Sequence, residues 1–302
     1  MSAVMPFPRL RAVAILTCTS SSFAANHIAA RIAFDHDTGL LLAILCRSGL
    51  TFLVLAGLVW WRGESLRLSA STWRWQILLG LLIATQSFCV YSAVARIPVA
   101  VALLVVNLAP ILLALLTWAL GGPRPTRRAA LLMAMILFGL VLVLDIPARL
   151  SGVSDGENQW GAGIAFGVCA AAVFAVALWI TEHRLSPVSG TLRSMLTLGV
   201  VFLAAAAAGA SGALPGSIDL PNAQAGWIAL ACLTLLYGTA FSLLFICMPR
   251  LDIARNAPVM NVEPVASLLL GWLILGQALG AVQLLGGAIV VGGIVLLALR
   301  KT

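Results

Sequence analysis

The residues best suited to chemistry in this 302-residue chain are polar side chains that lie inside long apolar segments. Glu263 is the most costly of them, because a carboxylate near the centre of a bilayer needs a proton, a partner or water. In one interpretation such an acid couples transport to protons. In the other it forms a fixed salt bridge or closes the backbone that the neighbouring Pro264 opens. The sequence leaves both interpretations open.

Uncharged polar residues fall near the middle of several such segments, where a side chain facing lipid would be costly. Each is satisfied either by a hydrogen bond to a neighbouring helix or by a wet cavity. Their shared depth favours a cavity that binds a substrate. The residues predicted on these grounds to line it are Asn26, Gln86, Asn107, Tyr237, Thr239, Asn261 and Glu263.

Two arginines lie about two turns inside their segments, at the start of the matching strings RSGLT (from Arg47) and RSMLT (from Arg193). Each either attracts a substrate carboxylate or snorkels to the membrane surface and caps a neighbouring helix end. Trp118 comes 11 residues after Asn107 (118 − 107 = 11), close to three helical turns, and so shares its helix face. The secondary candidates for the cavity are His27, Arg47, Tyr91 and Trp118.

The sequence contains no catalytic or metal-binding motif in the context that its chemistry requires. Its only lysine is Lys301, so neither a phosphate-binding GxxxxGK[ST] loop nor a Schiff-base lysine can form. The three histidines lack HExxH spacing and the six cysteines occur singly without CxxC spacing, which disfavours metal sites and disulfides. The string GVSDG from Gly152 has GxSxG spacing, but it lies between two predicted spans and not at a strand-to-helix turn, so it does not predict a nucleophile elbow. We therefore expect no enzyme activity, no cofactor and no metal.

The composition places these residues in a polytopic membrane protein. The chain is 62% hydrophobic and only 9% charged, and its mean hydropathy of +1.07 leaves too little polar surface for a water-soluble globule. Apolar runs of about 20 residues predict ten transmembrane helices, and the alternation typical of a β-barrel is lacking. The predicted spans are 11–32, 40–61, 74–95, 98–119, 128–146, 160–181, 189–210, 224–249, 253–275 and 281–299.

The predicted spans form two copies of one unit. The string Asn-x-x-Pro occurs at Asn107 and again at Asn261, an offset of 154 residues (261 − 107 = 154). Each copy contains five spans, an odd number, so the second copy enters the bilayer upside down relative to the first. We therefore predict an all-α membrane protein of two inverted five-helix repeats, residues 1–150 and 151–302, with a binding site between them. This organisation is typical of secondary transporters.

The basic residues indicate how the chain is oriented. When the N-terminus is placed in the cytoplasm, most arginines fall on the cytoplasmic side and most loop acids on the other, as the positive-inside rule requires. The net charge of +8 therefore reflects membrane topology, and its dispersal over short loops argues against nucleic-acid binding. We predict a multi-pass protein of the cell inner membrane with both termini in the cytoplasm.

The ends of the two copies resemble a known family. The strings NVEPVAS (from Asn261), GWLILGQ (from Gly271) and QLLGG (from Gln283) resemble the second repeat of the EamA-type transporters of the drug/metabolite transporter superfamily, and segment 4 resembles the matching part of the first repeat. The resemblance covers essentially the whole chain. It implies inner-membrane carriers, many of them exporters of amino acids and related metabolites, with a central cavity lined by segments 1, 3, 4, 6, 8 and 9. It places at that cavity Asn26, Gln86, Asn107, Phe174, Tyr237 and Glu263.

One feature of the family is missing. Relatives commonly have Gly-Glu after the apolar run of segments 4 and 9, whereas here Gly122 is followed by Pro123 and Gly276 by Gln277. No acid-dependent role is therefore expected at these two positions.

The sequence thus predicts a secondary transporter that exports small amphipathic metabolites, amino acids or related compounds, by alternating access. Polyanionic substrates are disfavoured because few fixed charges lie near the midplane. The alternatives are an exporter of lipophilic drugs and a non-transporting membrane enzyme or scaffold, for which the short loops leave no partner-binding domain. The expected partners are a small-molecule substrate and the lipid bilayer. A monomer is compatible with the sequence, which does not determine the oligomeric state.

Overall fold

A computed structural model of the chain describes residues 7–122, 124, 126–143, 157–212, 216–247, 251, 262–277 and 279–298. The regular elements within these ranges are all α-helices, as predicted. In chain order they are α1 (Arg9–Phe34), α2 (Leu40–Trp61), α3 (Ala70–Val94), α4 (Val99–Val106), α5 (Ala109–Ala119), α6 (Arg127–Val143), α7 (Glu157–His183), α8 (Gly190–Ala210), α9 (Gln224–Cys247), α10 (Val262–Leu275) and α11 (Ala281–Ala298).

Each predicted span contains a described helix, in the predicted order. The fourth span contains two, α4 and α5. The described parts of α6, α10 and α11 are shorter apolar helices. The protein is thus a multi-pass helical membrane protein, and the crossing of the bilayer by all ten segments stays a prediction. Within the described ranges, six segments are long and apolar enough to cross a membrane: Leu40–Trp61, Ala70–Val94, Val99–Ala119, Gln159–His183, Gly190–Ala210 and Gln224–Leu244.

The fourth span breaks where the sequence places its proline. Helix α4 ends at Val106 and α5 begins at Ala109, with Pro110 in the first turn of α5. Proline has no amide hydrogen, so the Val106 carbonyl receives no bond from the residue four positions later. The break leaves Asn107 as the residue that caps α4 in the middle of the span.

The helices form two bundles, each of which combines both halves of the chain. Helix α1 packs mainly against α9 and α10, and α2 packs against α9; these four helices form the first bundle. Helix α7 packs against α3, α4 and α5, and α8 packs against α3; these five helices form the second bundle. The two bundles meet along α2 and α8 and where α4 contacts α10, while α6 and α11 pair with each other.

The central pair α2 and α8 shows the relative direction of the two copies. These helices occupy equivalent places in the two repeats. Gly49 lies against the ring of Phe202, and Gly199 lies against the ring of Phe52. Residue numbers therefore rise along one helix as they fall along the other, so the two helices run antiparallel. Equivalent helices of opposite direction are what an inverted repeat requires.

Close packing of α6 on α11 depends on glycine. A Cβ atom on Gly286 would lie 2.6 Å from the carbonyl oxygen of Gly139 and 2.7 Å from the amide nitrogen of Val143. We expect Gly286→Ala to destabilise the protein by about 1–3 kcal/mol, the usual cost of overpacking, measured as a lower thermal unfolding midpoint in detergent. Gly292→Ala is the control, since a Cβ there meets nothing within 4 Å. Equal midpoints for the two variants would contradict the prediction.

Candidate functional site

A cavity of about 460 Å³ lies between the two bundles. One wall comes from α1, α2, α9 and α10, and the other from α3, α4, α5, α7 and α8. A space of this size, mostly apolar with a few polar groups, is typical of small-molecule binding sites. The aromatic residues of the wall are Phe23, Phe174, Tyr237 and Phe241.

The cavity extends toward one end of the helical assembly. Its wall includes Thr181, near the last residue of α7, and Arg193, in the first turn of α8. At the opposite end the bundles are joined, because the amide of Val99 at the start of α4 donates to the Gln277 side-chain oxygen, just after α10, at 3.2 Å. In the predicted topology the end that the cavity approaches is the cytoplasmic one.

Arg47 brings a positive charge to the wall. The residue is 6% exposed, and its guanidinium carbon lies 4.4 Å from the centre of the Tyr91 ring and 4.5 Å from that of Tyr237. Stacking on aromatic rings stabilises a desolvated cation by about 2 kcal/mol and orients its N–H donors. Among the described residues, no carboxylate pairs with this guanidinium and no acceptor takes a hydrogen bond from it. The Arg47 side chain therefore does not extend to the membrane surface. Its N–H groups are available to a molecule in the cavity.

Asn26 and Tyr91 support Arg47 from behind the wall. The Asn26 side chain donates to the Leu233 carbonyl at 2.8 Å and accepts from the Tyr91 hydroxyl at 3.4 Å. Both residues are fully buried, and neither lines the cavity. Both residues were predicted at the cavity; in the structure they lie behind its wall, where they link α1, α3 and α9 and hold the Tyr91 ring against the guanidinium.

His27 and Glu263 form the second polar feature of the wall. The His27 Nε2 atom lies 3.7 Å from Glu263 Oε1, too far for a direct hydrogen bond but within reach of an ion pair when the imidazole is protonated. His27 Nδ1 is buried and has no hydrogen-bond partner in the described part of the chain. Glu263 lies in the first turn of α10, where the helix dipole favours a negative charge. The described residues contain no group of three or more His, Cys, Asp or Glu arranged for a metal.

Most of the predicted residues meet at this cavity. Asn107 reaches the wall at the break between α4 and α5, and its side-chain amide donates to the Leu103 carbonyl at 2.9 Å. The primary and secondary candidates that line the cavity are Gln86, Asn107, Phe174, Tyr237, Glu263, His27 and Arg47.

Two candidates lie on the outer surface instead. Thr239 is exposed because it follows Tyr237 by two residues, about 200° around the helix; its hydroxyl is satisfied by the Leu235 carbonyl at 2.7 Å. Trp118 is 45% exposed, because the helix break before α5 ends the regular periodicity that would have kept it on the face of Asn107. Asn261 lies outside the described residues.

Four hydroxyl side chains of the wall carried too weak a sequence signal to be singled out. Serine and threonine in apolar helices usually bond to their own backbone, so their presence alone does not indicate a cavity. Two of them belong to the repeated string that begins at Arg193, which was the available clue. The four residues are Ser87, Thr181, Ser194 and Thr197.

Corresponding residues of the two repeats meet in this wall. Phe23 and Phe174, separated by 151 residues (174 − 23 = 151), both line the cavity, as do Arg47 and Arg193. Arg193 lies nearer the end of the assembly, where its Nη1 donates to the Leu185 carbonyl at 3.1 Å. Both repeats therefore contribute corresponding residues to the wall of the cavity.

Comparison with known proteins identifies the family. The model of the EamA-like transporter family matches residues 10–145 and 160–299. A solved crystal structure of another protein superposes with a TM-score of 0.63 at 22% identity and covers 97% of each chain, a likeness that concerns the fold alone. No curated protein matches the chain in sequence. Because the two family matches span most of the chain, it belongs to the EamA-like transporter family and is a membrane transporter of the drug/metabolite transporter superfamily.

Proposed function

We propose that this transporter exports small amphipathic metabolites, amino acids or related compounds, across the cell inner membrane by alternating access. The observation that carries the proposal is the buried guanidinium of Arg47, which has unused donors at the cavity wall. A substrate carboxylate would supply the charged partner that the described residues do not. Two parallel charge-assisted hydrogen bonds are the natural geometry of that pair.

The charges of the wall favour a zwitterion over an anion. Arg47 and Glu263 carry opposite charges and line the same cavity, so one carboxylate and one ammonium group can each find a partner. A polyanion would need several cations at one depth, whereas Arg193 lies nearer the end of the assembly.

A lipophilic drug is the second candidate substrate, and the aromatic wall favours it. Binding such a molecule would keep Arg47 buried without a charged partner, which is costly when water is displaced. The zwitterion is therefore the better match.

The test is counterflow of radiolabelled leucine in proteoliposomes that contain the purified protein. We expect exchange that unlabelled leucine and phenylalanine inhibit, while phenylalaninamide, which lacks the carboxylate, competes poorly. Protein-free liposomes are the control. Binding of lipophilic cations with no exchange of amino acids would support the drug exporter. Exchange of neither amino acids nor lipophilic cations would contradict both candidate functions.

We further propose that Glu263 couples export to protons, because its carboxylate faces His27 at 3.7 Å within the cavity that also contains Arg47 and Tyr237. A substrate ammonium and a proton would compete for this carboxylate, which is the logic of an antiporter. We expect Glu263→Gln to lose transport driven by an imposed pH gradient while keeping part of the counterflow, which moves no net protons. An unchanged response to the gradient would show that the carboxylate is structural.

The proposed topology has ten spans, two inverted repeats and both termini in the cytoplasm. Its support is the distribution of basic residues together with the antiparallel packing of α2 on α8. Reporter tags fused to the two ends are expected to lie on the cytoplasmic face; tags on opposite faces would overturn the topology.

A further inference from the structure

Four pairs of corresponding residues reach the cavity with one polar and one apolar member each. In three of the pairs the polar member belongs to the first bundle, on α1, α9 or α10, and the apolar member to the second, on α7, α3 or α5; in the fourth the polar member is an uncharged serine on α3 of the second bundle. The four pairs, with offsets of 151 (178 − 27), 154 (237 − 83), 154 (263 − 109) and 154 (241 − 87), are His27 with Leu178, Tyr237 with Ile83, Glu263 with Ala109 and Phe241 with Ser87.

This difference removes the symmetry of the site. In a fully symmetric cavity a substrate would bind equally well in two orientations related by the two-fold axis. Here a charged head group placed beside Leu178 and Ile83 would lose hydration without gaining a charged partner, because the nearby polar residues Gln86, Ser87 and Thr181 are neutral. The other orientation pairs the head group with Arg47 and Glu263. A substrate of the proposed class would therefore lie with its charged end on the first bundle and the rest of the molecule on the second.

We propose that Ile83, Ala109 and Leu178 form the subsite for the apolar substituent of the substrate and set its upper size. The proposal rests on the proposed function and narrows its substrate class to zwitterions with a branched or larger apolar side chain. Ile83 and Leu178 are partly buried and expose the remainder of their side chains at the cavity. Phe174, one turn before Leu178 on α7, extends the same apolar wall.

Ala109 is the smallest of the three subsite residues and lies at the break between α4 and α5. A methyl group at this position leaves space that a larger side chain would fill. The same residue lies at the corner of the cavity where Asn107 and Pro110 also line the wall. Enlarging this residue should therefore exclude large substituents, just as shortening Ile83 or Leu178 should admit them.

The experiment measures the apparent affinities of leucine and tryptophan as competitors of labelled-leucine counterflow. Leu178→Ala and Ile83→Ala are expected to shift the ratio of the two affinities toward tryptophan by roughly tenfold, and Ala109→Leu to shift it by a similar factor toward leucine. The matched controls are Val176→Ala on α7 and Leu81→Ala on α3. Both side chains are exposed on the outer surface, so the ratio should stay at the wild-type value.

The outcomes separate this proposal from the proposed function. If the wild type exchanges amino acids but Leu178→Ala and Ile83→Ala leave the ratio at the control value, the subsite is wrong and the function stands. If the wild type exchanges no amino acid, the function fails and the subsite fails with it. The thermal midpoint of each variant shows that it is folded, and Leu178→Val, with a smaller shift in the same direction, replaces an unstable alanine variant.

Discussion

Arg47→Ala is expected to raise the KM for an exported amino acid by roughly 10- to 150-fold, the equivalent of about 1.5–3 kcal/mol for a hydrogen bond to a charged group. The substitution removes the cation that Tyr91 and Tyr237 hold at the cavity, so the substrate carboxylate loses both its charge partner and its donors. The concentration dependence of counterflow measures this effect. Phenylalaninamide serves as an internal check, since a competitor without a carboxylate should bind wild type and variant almost equally.

Two further arginine variants show whether the effect belongs to this position. Arg47→Lys keeps the charge but loses the planar group that stacks between two rings and forms paired hydrogen bonds, so it should fall between wild type and alanine. Arg193→Ala removes the same charge from the corresponding residue of the other repeat, near the end of the assembly, and should change KM only a few-fold. Equal effects at the two positions, or none at Arg47, would contradict the assignment of the carboxylate site.

A cross-link between Val99→Cys and Gln277→Cys is expected to stop transport. The amide of Val99 already donates to the Gln277 side chain at 3.2 Å, and this contact joins α4 of the second bundle to the segment after α10 of the first. If the bundles separate at this end to release substrate, a short thiol cross-linker holds the cavity closed there. Transport is measured before and after cross-linking and again after cleavage of a reducible linker, which should restore it.

The native cysteines provide a matched control for this cross-link. The Sγ atoms of Cys89 on α3 and Cys169 on α7 lie 3.7 Å apart, and both helices belong to the second bundle although they come from different repeats. Oxidation of this pair should leave transport largely intact. Normal transport by the Val99–Gln277 cross-linked protein, or arrest by the Cys89–Cys169 disulfide, would show that these bundles are not the moving units. The four cysteines to be replaced beforehand are Cys18, Cys46, Cys232 and Cys247.

The segmentation of the chain could be predicted because it depends on local properties. Apolar runs of spanning length and a proline in the middle of one of them are visible in the sequence, and the helix indeed ends at Val106 and restarts at Ala109. The depth of polar residues was equally readable, which is why Gln86, Asn107 and Tyr237 were identified and do line the cavity.

The direction in which each side chain faces was harder to predict. Thr239 follows Tyr237 by two residues and has nearly the same depth. Its side chain is nevertheless exposed on the outer surface, whereas that of Tyr237 lines the cavity. Trp118 was assigned by counting turns from Asn107, and that count fails because the helix breaks between them. The position of a residue in its span therefore predicts its depth in the membrane. The direction in which its side chain points depends on the helices that pack around it.

By itself, the sequence determined that this is a membrane protein of two repeated halves with polar groups at mid-depth, because hydrophobic length and internal repetition are properties of the linear chain. Only the tertiary structure decided that the bundles mix the two halves and that Arg47, a secondary candidate, stands between Tyr91 and Tyr237. Those contacts join residues of α2, α3 and α9. Packing between helices far apart in the chain sets such contacts, and no local pattern encodes them.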